Sequence, residues 1–205
     1  SSYFDNLSVV TRNRFGSDSL TSAVTVTYEN TTPTCHIRIR CKSDTQKRLV
    51  VSLRPYNPEG ISFLHTIALN QGRTRWTVND KDTVQFDRPI DTHHAQKYAD
   101  GDVANKLNAS DSTPTASCDV GMATAAAVFP MAEDGTCEMT LTVPLTTRKL
   151  RTYKSTVSPT KGLAAPTWDH TMDRYCRIDI PDKHKQQLYE QALRSVVLHT
   201  IGQDV

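Results

Sequence analysis

This 205-residue chain contains no C-x-x-C, no G-x-S-x-G, no H-E-x-x-H, no glycine loop of phosphate-binding type and no Cys/His pattern with zinc spacing. These absences argue against thioredoxin-like redox chemistry, serine hydrolysis on a nucleophile elbow, zincin chemistry and nucleotide cradling. No stretch approaches the ~18 apolar residues of a membrane span, so no membrane partner is expected. Charge of one sign is also missing: the formal net charge is +2 and the basic residues are scattered. That argues against nucleic acid as a partner. The opening SSYFDNLSVV has neither a basic nor an apolar leader segment, so no signal peptide is expected.

Cysteine is sparse and odd in number, at five. Cys35 and Cys41 lie on one apparent strand, ~20 Å apart at strand rise, too far for a disulfide. Cys118 and Cys137 pair only if the fold brings their strands into register. The expectation is reduced cysteines in a cytoplasmic protein. Three N-x-S/T sequons, at Asn6, Asn30 and Asn108, point the other way, but a chain rich in Ser and Thr matches that pattern by chance.

What is present is period-two alternation. In CHIRIRCK, Cys35, Ile37, Ile39 and Cys41 form one face and His36, Arg38, Arg40 and Lys42 the other. Residues 23–29 (AVTVTYE) and 137–143 (CEMTLTV) repeat the pattern, as expected of half-buried strands. N-D-K-D at 79–82 suits a hairpin turn. R-P-Y-N-P-E-G at 54–60 ends a strand in a rigid turn. The apolar, alanine-rich run 120–129 suits a strand buried on both faces, with a helix as the alternative. Residues 89–117 are polar and too long for an ordinary connection. They are expected to form a surface excursion with a short helix near 95–98, or a partner-facing loop. Residues 146–168 read as an extended linker and 174–180 as a last strand. The fold class expected is an antiparallel β-sandwich over residues 1–180, followed by an amphipathic helix over 181–205.

That helix has Asp182 as its N-cap and Gly202 as its stop. Leu188, Tyr189, Ala192, Leu193, Val196 and Val197 form its apolar stripe. Leaving such a stripe wet is costly, so Leu188, Ala192 and Val196 are expected to pack on the β body or on a second copy of the chain, as a homodimer.

Few residues invite chemistry. His93-His94 with Asp91 suggests a metal, but neighbours on an extended chain point apart, and no metal or cofactor is expected. Asp100-Gly101-Asp102 lacks the remaining oxygen ligands of a calcium loop and reads as a turn. Glu59, Asp87, Asp119 and Asp169 are the carboxylates available for glycoside chemistry; turn capping is the simpler role for them. Trp76, Trp168, Tyr56 and Tyr98 have faces suited to stacking on sugar rings. Trp76 alternates within RTRWTV and is assigned to the core. Tyr56 and Trp168 are kept as carbohydrate contacts.

Four segments, LVVSLRPYNPEGISFLHTIAL (49–69), WTVND (76–80), CDVGMATAAAVF (118–129) and IPDKHKQQLYEQALRSVVLHTIGQDV (180–205), are similar to the N-terminal region of bacterial glycogen-debranching-like and glucoamylase-like proteins. The resemblance implies a β supersandwich that precedes an (α/α)6 six-hairpin glycosidase barrel. It also implies that the catalytic acid and base lie in that absent barrel, so no catalytic residue is assigned here. Residues 181–205 would be the linker to the barrel or its first helix. The implied partners are the chain's own C-terminal (α/α)6 domain and an α-glucan. The implied domain interface is Arg54, Tyr56 and Asn57 in the turn, with Leu188, Ala192 and Val196 on the helix.

Overall fold

The computed structural model describes residues 2–5, 8–29, 32–57, 60–145 and 176–199. The chain divides into two compact units, residues 1–3 with 9–146 and residues 4–8 with 147–205. Strands dominate: β1 (Ser2–Asp5), β2 (Ser8–Phe15), β3 (Asp18–Glu29), β4 (Thr32–Lys42), β5 (Arg48–Leu53), β6 (Tyr56–Asn57), β7 (Gly60–Ile61), β8 (Thr66–Leu69), β9 (Arg75–Val78), β10 (Asp82–Phe86), β11 (Thr92–Gln96), β12 (Thr115–Ser117), β13 (Thr124–Pro130) and β14 (Thr136–Pro144). The large sheet runs β1-β2-β3-β4-β14-β10-β9-β8-β12; a smaller one runs β11-β13-β5, and β6 pairs with β7. The protein is mainly β and antiparallel, consistent with a β-sandwich.

Alternation explains the core. On β14, Cys137, Met139 and Leu141 point inward, opposite Cys41, Ile39 and Ile37 of β4. Trp76, Phe86 and Ile67 extend this face, and Ala125, Ala127 and Phe129 meet it from β13. The Phe86 and Phe129 rings lie 5.7 Å apart, centroid to centroid, across the two sheets. Outside, Glu138 of β14 receives Arg40 at 3.0 Å and also pairs with Arg38. The two guanidinium groups, Arg40 first, hold its carboxyl below the usual range. The basic row of β4 therefore has a carboxylate partner on the neighbouring strand.

The 120–129 run resolves as strand: from Thr124 to Phe129 every residue of β13 is buried. Neighbours on both edges, β5 and β11, complete its ladder. Alanine's small side chain lets both covering layers approach this strand closely.

The 89–117 stretch is less superficial than its polarity implies. It holds β11, not a helix at 95–98, and then two 3-10 turns, η1 (Tyr98–Asp100) and η2 (Val103–Lys106). His93 and His94 are both buried in β11. His93 is tolerated there because its ring is fully used. It accepts from Trp76 Nε1 at 2.7 Å, and its Nδ1 lies 2.8 Å from the Thr113 carbonyl.

The N-D-K-D hairpin is a type I′ turn. Asn79 and Asp80 both have positive φ, 50° and 58°, and Lys81 N donates to the Val78 carbonyl at 3.2 Å. Cys118 follows β12, four strand positions from the β14 that carries Cys137. At sheet spacing that is about 19 Å, which excludes a disulfide between them.

In the second unit the described part is residues 176–182 and α1 (Lys183–His199). Residues 176–180 are not a strand. Asp182 caps α1 as expected, accepting from His184 N at 2.9 Å and Lys185 N at 3.2 Å. Gly202 and residues 146–168 lie outside the described residues. No described helix is long and apolar enough to cross a membrane.

Candidate functional site

The turn after β5 is built from both ends. Pro55 is buried and its carbonyl accepts from Ser62 N at 2.6 Å, closing the β6–β7 hairpin in which Tyr56 faces Ile61. Arg54 reaches out of the turn to Asp102: Nη2 donates to Oδ1 at 2.8 Å. The Tyr56 hydroxyl donates to the other carboxylate oxygen at 3.1 Å and accepts from Arg54 Nη1. The guanidinium carbon also sits 5.7 Å from the Tyr56 ring centroid, within cation–π range.

Asp102 has a second duty. Its Oδ1 accepts from Ala104 N at 2.8 Å and so caps η2. One carboxylate thus ties the β5–β6 turn to the long excursion. Tyr98, on η1, contributes to the same cleft, of about 240 Å³, with Pro55, Tyr56, Asp102, Met122 and Thr124 in its wall. Backbone N–H groups, that of Tyr98 first, hold the nearby Cys118 thiol below its usual range.

Beyond the β6–β7 turn the chain leaves apolar side chains in water. Ile61, Phe63 and Val120 are each 58% exposed, and Tyr98 is 65% exposed. Phe63 is seated by Gly121: a Cβ there would come within 2.8 Å of the Phe63 Cβ, and its φ is +70°. The Phe63 and His65 rings lie 6.2 Å apart. Asn79 holds this segment from the hairpin behind it, accepting from His65 N at 2.7 Å and donating to the Phe63 carbonyl at 2.9 Å.

The structure brings Arg54 and Tyr56 together and adds Tyr98 to them. Asn57 pairs through its backbone with Gly60, and its side chain lies outside the described residues, as do Glu59, Trp168 and Asp169. Trp76 is core. Asp87 is occupied structurally, accepting from Thr140 N at 2.7 Å and Arg88 Nε at 3.2 Å. Asp119 is exposed. Among the described residues no group of three His, Cys, Asp or Glu is arranged to hold a metal ion. The sequence pattern assigns Asp102 only to a turn. Its signal was available, since Asp before a short helical turn is an N-cap pattern.

On α1 the face against residues 176–179 carries Gln186, Tyr189, Leu193 and Arg194, around a cleft of about 370 Å³. Tyr189 donates to the Cys176 carbonyl at 2.8 Å, and Gln186 Oε1 accepts from Ile180 N at 2.8 Å. The expected stripe is split. Tyr189 and Leu193 face this cleft, whereas Leu188 is 53% and Val196 61% exposed, and Ala192 is exposed too. Adjacent helical positions differ by about 100°, so the 188-192-196 row turns away from the row that packs.

These features define a β-sandwich with a pinned aromatic corner and a helix that presents an exposed apolar row. Comparison with family models, with characterised proteins and with solved structures finds no match to this chain.

Proposed function

We propose that this chain is a non-catalytic interaction domain of a larger carbohydrate-active protein of glycogen-debranching or glucoamylase type. In this reading it buttresses a helical catalytic barrel and shapes one wall of an α-glucan cleft. The supporting observation is the corner at Arg54–Tyr56. A turn tied down by Asp102 carries exposed Tyr56 and leads to exposed Ile61, while Phe63, on the segment held by Asn79, and Tyr98, on η1, are exposed as well. Rigid presentation of apolar rings is the usual preparation for a partner surface, because little ordering entropy remains to be lost on docking. The exposed row Leu188, Ala192 and Val196 is the second such surface, suited to a neighbouring helix or a second copy of the chain. The free thiols, including exposed Cys176, fit a reducing, cytoplasmic setting.

The test is α-glucan hydrolysis by the purified chain alone. No turnover is expected. Turnover that co-purifies with the chain and survives further purification overturns the reading.

A second reading is favoured by Tyr56 and Tyr98 lining one cleft beside Asp102 and Arg54: a self-sufficient carbohydrate-binding module. Aromatic faces complement the apolar face of a pyranose, and a charged pair complements its hydroxyls. Saturable binding of α-glucan oligosaccharides that Tyr98→Ala abolishes would establish the module in place of the buttress.

A further inference from the structure

The small sheet has one occupied edge and one open edge. At the β11 edge, Thr113 N donates to the His93 carbonyl at 3.2 Å and Ala95 N donates to Thr113 Oγ1 at 3.0 Å. His93 and Ala95 thus turn their backbone groups away from β13, while Thr92, His94 and Gln96 turn theirs toward Val128, Ala126 and Thr124. The alternation carries across β13, so that Ala125, Ala127 and Phe129 bond Leu53, Val51 and Leu49 of β5. Arg48, Val50 and Ser52 are left with their N–H and C=O groups on the outer edge of β5. Among the described residues no strand pairs with that edge. Both ends of β5 are braced. Arg48 Nη2 donates to the Leu107 carbonyl at 3.1 Å and to Asn108 Oδ1 at 2.9 Å, and Arg54, just past the strand, is held by Asp102.

The large sheet runs on where the small one stops. Residues 43–47 carry β4 into β5 and residues 131–135 carry β13 into β14, and Ser43 N ties the two loops together at the Gly135 carbonyl, 2.9 Å away. The β13–β5 pair therefore lies over the β14–β4 pair, and β3 and β2 continue beyond it. Cover fades along the inner face accordingly. Met139 and Leu141 of β14 are 1% and 4% exposed. Ile37 and Ile39 of β4, and Leu20 and Val24 of β3, are only partly buried, and Val26 of β3 is 47% exposed. An unpaired edge beside an uncovered apolar face is the arrangement that takes an added strand. A second copy does not fit by pairing its β5 there, because a two-fold axis normal to the sheets would put its β4 where β3 already lies. One extended segment does fit. We propose that the open edge of β5, with the inner face of β3 beneath it, seats one extended segment of a partner polypeptide as a fourth strand of the small sheet. That segment has apolar residues at alternate positions, covering Leu20 and Val24, and polar residues between them, on the face shared with Arg48 and Ser52. β5 is 6 residues long, which sets the length of the segment it can pair.

The test is hydrogen exchange, read amide by amide by NMR, with a synthetic peptide in which valine alternates with threonine between terminal lysines. In the free chain the Arg48, Val50 and Ser52 amides are expected to exchange fast and those of Leu49, Val51 and Leu53 slowly. With free peptide at about ten times its Kd, exchange at Val50 and Ser52 should slow roughly tenfold. Valines that face β3 leave the threonine nitrogens facing β5. N-methylation of the threonines is therefore expected to abolish the slowing, and N-methylation of the valines to leave it intact. No slowing at millimolar peptide overturns the proposal, as does equal slowing by the two methylated forms. A Val50 amide already as protected as Val51 in the free chain also overturns it. Slowing that grows with chain concentration in the absence of peptide would assign the edge to a second copy instead.

Discussion

Trp76 Nε1 donates a 2.7 Å hydrogen bond to His93 Nε2, between two side chains that are each about 1% exposed or less. The bond requires the neutral imidazole with its proton on Nδ1, the nitrogen beside the Thr113 carbonyl. Burial drives this ring's pKa down from 6.5 to about 4. The unfolded chain therefore binds a proton between those values that the folded chain refuses. Stability is full above pH 6.5, falls as pH drops toward 4 and levels off below it. The total loss is about 3 kcal/mol. Urea unfolding from pH 7.5 to 4 is expected to show this slope, and His93→Gln to flatten it. An unchanged slope in the variant would assign the acid sensitivity elsewhere.

Asp102 joins three groups, so its replacements should separate its duties. Asp102→Asn keeps an oxygen for Ala104 N and loses the charge facing Arg54. Asp102→Ala loses both. The expected cost is about 1 kcal/mol for the cap, with a further ~1 kcal/mol for the paired guanidinium. Thermal melting of both variants checks the order. A melting point for Asp102→Asn equal to that of the unaltered chain would remove the charge from the account, and equal melting points for Asn and Ala would remove the cap.

Ala126 is fully buried on β13, between β5 and β11. Ala126→Leu should overpack this strand and cost about 1–3 kcal/mol. The same change at exposed Ala104 should cost under about 0.5 kcal/mol. Parallel urea titrations compare them directly.

The two apolar rows of α1 make opposite forecasts. Leu193→Ala should loosen the helix from residues 176–179 and raise hydrogen exchange there. Leu188→Ser with Val196→Ser should leave that exchange unchanged. If two copies meet through the exposed row, the double variant also lowers the mass seen by light scattering.

Legibility followed burial. Where one sheet face is buried, alternation marks it, as at Ile37, Ile39, Met139 and Leu141. The Asn79–Asp80 turn and the Asp182 cap were equally plain, because local backbone chemistry decides them. The polarity of residues 89–117 suggests a surface position for His93 and His94, whereas both are buried and tertiary partners satisfy the His93 ring inside. The facing of Cys41 and Cys137 and the Arg54–Tyr56–Asp102 corner depend on register and on a loop's return. A linear pattern does not carry either.

The most direct test is hydrogen exchange at residues 56–63 and 186–196, measured in this chain and in the longer polypeptide to which it is proposed to belong. Protection that rises at both segments in the longer polypeptide, while β13 stays unchanged, is the expected result. Equal exchange at both segments in the two proteins would contradict a role as an interaction domain.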